Sequence, residues 1–64
     1  MARSAFDAYK ENLAQVEVQI ARLQAQVKRH EKDAAAVTVH WGHVGDLAQI
    51  NERLAELTLF AEAQ

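Results

Sequence analysis

The 64-residue chain has no cysteine and no proline, only two glycines, and a single tryptophan and a single tyrosine. Without cysteine there can be no disulfide framework and no thiolate metal site. This excludes a disulfide-stapled secreted miniprotein and makes a reducing cytoplasm the simplest home. Long hydrophobic runs are also missing: the longest uninterrupted one is Ala34-Ala35-Ala36-Val37, against the roughly 20 residues a membrane span requires. The N-terminal segment lacks the continuous apolar core of a signal peptide, so a soluble, unprocessed chain with no membrane partner is expected. Charge of one sign is scarce as well. A net charge of −2 is too near neutral for wholesale binding to nucleic acid or to an acidic membrane surface, so any electrostatic function must be local. Nucleophiles are few: Ser4 is the only serine, and there is no glycine-rich phosphate loop. Two short helices also offer no cavity of roughly 300 Å³ unless subunits combine. Neither an enzyme nor a cofactor is expected.

What remains is dominated by helix formers. Half of the residues are apolar and thirteen are alanine, and a chain of this length supports one small domain, residues 1–64. The strongest signal is a 3-4-3-4 alternation at Ala2, Phe6, Tyr9, Leu13, Val16, Ile20, Leu23, Val27, His30, Ala34 and Val37. With Phe6, Leu13, Ile20, Val27 and Ala34 at the a positions and Tyr9, Val16, Leu23, His30 and Val37 at d, the pattern is a heptad sustained over four repeats. Ser4 with Asp7 three residues on resembles the start of a capping box, and helix 1 is expected over about residues 4–35. His30 stands where an apolar residue is usual. It could serve as a pH switch, but the favoured reading is a buried polar residue that fixes register.

Helix propensity drops at Val37-Thr38-Val39-His40-Trp41, which is followed by Gly42 and Gly45. The sequence predicts a linker over about 36–45, with Trp41 as an apolar plug at the hairpin tip beside Val39, His40 and His43. An exposed Trp41 anchoring a partner is the alternative. Asp46 with Gln49 three residues later reads as the N-cap of helix 2, about residues 46–61. The apolar stripe of that helix is Leu47, Ile50, Leu54, Leu57 and Ala61. The fold expected is all-α: an antiparallel helical hairpin with a long first helix and a short second one. The short helix would leave Phe6, Tyr9, Leu13 and Val16 without cover, and their burial is worth several kcal/mol at roughly 1.5–3 kcal/mol each. A homo-oligomeric bundle, at its smallest a dimeric four-helix bundle, is therefore expected. Its interface would use Phe6, Tyr9, Leu13, Val16, Ile20, Leu23, Val27, Leu54 and Leu57.

Three functional classes compete. The leading one is a small protein-interaction module of phage or plasmid type, a regulator, adaptor or inhibitor of another protein. The second is a nucleic-acid-binding regulator. Arg22, Lys28, Arg29 and Lys32 place four of the seven basic residues within eleven positions, all outside the seam, where they could follow phosphates. Glu31 and Asp33 interrupt this stripe, which favours a solvated face. The third is a metal- or ligand-sensing module at His40, His43 and Asp46. That spacing lacks the fourth ligand and the adjoining glutamate of recognised zinc motifs, so ordinary loop histidines are preferred. A second, smaller stripe, Ala14, Val18, Ala21 and Ala25, occupies b and f positions. It reads as helix propensity or as a further packing surface.

Overall fold

The computed structural model of the protein describes residues 4–64, so Ala2, the first position of the heptad run, lies outside the described residues. Those residues form two helices and no strand: α1, Ala5–Val37, and α2, Trp41–Glu62. At 1.5 Å per residue they measure about 50 Å and about 33 Å. The chain divides into two compact units, one up to Lys32 and the other from Asp33 onward, and the boundary falls inside α1.

Helix α1 begins where the sequence places it. The hydroxyl oxygen of Ser4 accepts a hydrogen bond from the amide of Asp7 at 3.0 Å, and its carbonyl accepts from the amide of Ala8 at 3.1 Å. Two of the helix-start groups are thus used by one residue. Asp7 adds a negative charge in the first turn, where the helix dipole favours it. From there the heptad run is helical without interruption as far as Val37, two residues beyond the expected end, because the three alanines 34–36 carry the highest helix propensity. The helix stops at Val37, where the β-branched Thr38 and Val39 follow, and the hydroxyl of Thr38 donates to the carbonyl of Val37.

Burial along α1 follows the seam. Leu23, Val27 and His30 are half-buried, and Ala34, at 5% exposure, is the one fully buried residue among those described. The positions repeat 4-3-4, which is the phase of the heptad read from sequence. Toward the N-terminus the same seam is open: Phe6 is 68% exposed, and Tyr9, Leu13, Val16 and Ile20 are exposed too. The ammonium of Lys10 lies 5.4 Å from the centre of the Phe6 ring, close enough for a cation–π contact.

The second half departs from expectation. The linker is three residues, Thr38–His40, where about ten were anticipated, and α2 starts at Trp41, about five residues ahead of the expected start near residue 46. Asp46 is inside the helix and is not its N-cap. The least exposed positions of α2, His43 and Ile50, with Leu47 and Leu54 near the exposed limit, extend the expected stripe backward by one turn.

The single buried alanine gives a direct test. Ala34→Leu adds volume at a closed position and is expected to cost about 1–3 kcal/mol, whereas Ala35→Leu, at an exposed neighbour, should stay within about 0.5 kcal/mol. Urea unfolding followed by circular dichroism separates the two. Equal costs would show that position 34 is not the closed one.

Candidate functional site

The early start of α2 is made by two histidines. His40 is the N-cap, with extended backbone (φ −135°, ψ 176°). Its carbonyl accepts from the amides of His43 at 3.0 Å and Val44 at 3.3 Å. Its ring nitrogen Nδ1 accepts from the amide of Gly42 at 3.0 Å. In return, Nδ1 of His43 accepts from the backbone amide of His40 at 3.2 Å. This is the reciprocal logic of a capping box with two imidazoles in place of the usual hydroxyl and carboxylate. The rings stack, their centres 3.9 Å apart and their planes inclined by 29°.

Gly42 is part of this device. A β-carbon at that position would lie 2.7 Å from Cε1 and 3.0 Å from Nδ1 of His40, so any side chain there would push the ring off the amide it caps. Glycine is used for close approach and not for a left-handed turn, since no glycine among the described residues has positive φ. Gly45 meets nothing within 4 Å.

The bonding fixes the chemistry of both rings. An Nδ1 that accepts an amide proton carries a lone pair, so each imidazole is neutral with its own proton on Nε2. Both Nδ1 atoms are thereby committed to backbone. Among the described residues no group of three His, Cys, Asp or Glu side chains is placed to hold a metal ion, and His40, His43 and Asp46 are not gathered as a ligand set. Asp46 and His43 also take part in further interactions.

Trp41 is not the expected plug. It is the first residue of α2 and is 85% exposed in the single chain. The plug required an extended apolar segment for the indole to close over, and the cap at His40 replaces that segment with a three-residue connection. Val39 is likewise exposed. The basic residues Arg22, Lys28, Arg29 and Lys32 are all exposed on α1. Ala14 and Val18, with Gln15 and Gln19, line a shallow groove on the same helix. Leu54 and Leu57 lie on α2, both exposed. Sequence reading missed His40 as a cap because histidine is outside the set of good N-cap residues. The signal that could have found it is the spacing: an acceptor side chain, a glycine two residues on, and a second acceptor at the third position.

A double-mutant cycle checks the arrangement. His40→Ala should cost about 0.5–2 kcal/mol, and His40→Asn should recover most of it. Gly42→Ala should destabilise the parent, since the cap is displaced. In the His40→Ala background the same change should be neutral or stabilising by up to about 1 kcal/mol, because alanine then expresses its helix propensity without obstruction. Thermal unfolding of the four chains reads the cycle, and a Gly42→Ala effect of the same sign in both backgrounds would reject the contact.

No protein-family model matches the chain, and neither a curated protein nor a solved structure is significantly similar to it.

Proposed function

We propose that the protein is a non-catalytic interaction module: a helical hairpin that assembles with copies of itself and, through the assembled surface, regulates or adapts another protein. The observation that carries this reading is the open seam of α1. Phe6, Tyr9, Leu13, Val16 and Ile20 are large apolar side chains in heptad register on one helix, and all are exposed. A continuous apolar stripe of this kind marks a surface built to be covered. The hairpin is supported by the connection of three residues, Thr38–His40, within the 2–5 residues that join antiparallel helices. Folded back, α2 at about 33 Å would reach only two thirds of α1 at about 50 Å. The N-terminal turns, from Phe6 to about Leu13, would then be left for a second copy. A two-helix chain cannot enclose a core by itself, and oligomerisation is the usual remedy at this size.

Two further observations bear on what the assembly meets. Trp41, exposed beside the connection, is the kind of side chain that anchors binding hot spots. The exposed cations Arg22, Lys28, Arg29 and Lys32 support the second reading, a nucleic-acid-binding regulator. Salt separates the two, since phosphate contacts release counterions and weaken steeply as ionic strength rises.

Light scattering on the purified chain should give a mass at least twice the 7.2 kDa of one copy at low micromolar concentration. Leu13→Ala and Ile20→Ala should weaken folding and assembly together by about 2–5 kcal/mol if the sites become fully covered, while Val18→Ala, off the seam, costs much less. A helical monomer, or equal effects of all three substitutions, would defeat the proposal.

A further inference from the structure

Two N-caps compete for α2, and they answer to pH in opposite ways. The cap in use is His40 with His43. The second is Asp46 with Gln49 three residues later, an acid capping box preceded by Gly45 and lying six residues along the chain inside the helix. The first works only while both Nδ1 atoms keep their lone pairs, because each accepts a backbone amide proton. A proton from solvent added at Nδ1 turns that atom into a donor, and an imidazolium has no acceptor at all. Each ring that takes up a proton therefore loses the hydrogen bond it accepts, and two protons remove both. The two rings, 3.9 Å apart, become like charges, and they sit at the end of a helix whose dipole disfavours cations. Asp46 has the opposite character: a carboxylate offers acceptor oxygens that do not depend on an imidazole lone pair, and a negative N-cap is favoured by the same dipole.

We propose that the paired histidines make the start of α2 pH-operated: neutral rings hold the helix from Trp41, and protonation moves its N-cap from His40 to Asp46, lengthening the connection from three residues, 38–40, to nine, 38–46. The sign follows from proton uptake. The register starting at Asp46 can bind up to two protons more than the register starting at Trp41, so the longer helix loses stability as pH falls through the range in which histidine titrates, about pH 8 to about pH 5. The charged residues that share the compact unit with the pair are Asp33 at the end of α1 and, on α2, Asp46, Glu52, Arg53, Glu56 and Glu62. A carboxylate among them can stabilise an added positive charge, but it cannot restore the lost acceptor. His30 is the remaining imidazole of the chain, so the test must keep it constant. The exchange needs little else. Gly45, which costs helix stability in an interior position, would stand outside the shortened helix, where its freedom is harmless.

Backbone NMR of the full chain between about pH 7.5 and about pH 5 reads the switch residue by residue. On acidification, residues 41–45 should lose helical carbon shifts, and their amides, Gly42 above all, should exchange at least tenfold faster after correction for intrinsic rates. Residues from Leu47 onward should stay helical. The double variant His40→Asp/His43→Gln keeps both acceptors without an imidazole and keeps His30. It should show no change in residues 41–45 over the window. Asp46→Ala should, at the acid end, extend the fraying past residue 47. The proposal is overturned if residues 41–45 remain protected at the acid end, or if the double variant loses them as the parent does. It also fails if Asp46→Ala leaves the acid end as ordered as in the parent.

Discussion

The hydrogen bonds exchanged between His40 and His43 decide where α2 begins, and most of the second half of the chain follows from that decision. A helix end carries amides that nothing within the helix can satisfy, and they must find acceptors before the first turn is stable. Here two rings provide them, one from outside the helix and one from its third position. The cap shortens the connection to Thr38–His40 and sends Trp41 into the first turn. It also adds a turn, at His43, to the stripe that continues through Leu47, Ile50 and Leu54. A start at Asp46 would have produced the same stripe one turn shorter.

Helix α1 is governed by a different constraint. Its seam is apolar over its whole length, but it is closed only at Ala34 and half-buried only from Leu23 to His30. Burial is the main favourable term in folding, and its magnitude follows the area removed from water. A seam open over its first four turns therefore leaves most of the available stabilisation unused. Helical propensity from alanine and from the long polar side chains keeps α1 helical but contributes only tenths of a kcal/mol per residue. The gap between what the seam could contribute and what one chain covers is the physical argument behind the proposed assembly.

The parts of this molecule legible in its sequence are those where a pattern repeats. The heptad from Phe6 to Val37 is reinforced at every turn, so the identity and extent of α1 were readable to within two residues, and Ser4 stood in the set of residues that cap well. The stripe of α2 was readable for the same reason. The start of α2 was not. Between Val37 and Gly45 the β-branched residues, the tryptophan and the two glycines all lower helix propensity, and the natural reading is a linker. Propensity is a weak prior, and a pair of reciprocal side-chain bonds outweighed it. The expected burial of Trp41 failed with the linker it depended on. As for function, the sequence marks which surfaces are apolar or basic, and the fold leaves those surfaces exposed; neither names what covers them.

The His40 ring occupies the space that a β-carbon at Gly42 would need, and this has a consequence for how the segment can change over time. A substitution that gives position 42 a β-carbon displaces the ring, and once the ring is displaced, position 40 has no reason to remain an acceptor and position 43 loses its reciprocal role. The three sites therefore behave as a single unit of inheritance. Relatives of this chain should carry either the whole His-x-Gly-His arrangement or none of it, with a conventional capping residue and an ordinary helix former in its place. Chains caught between the two would begin their second helix later and carry a longer connection.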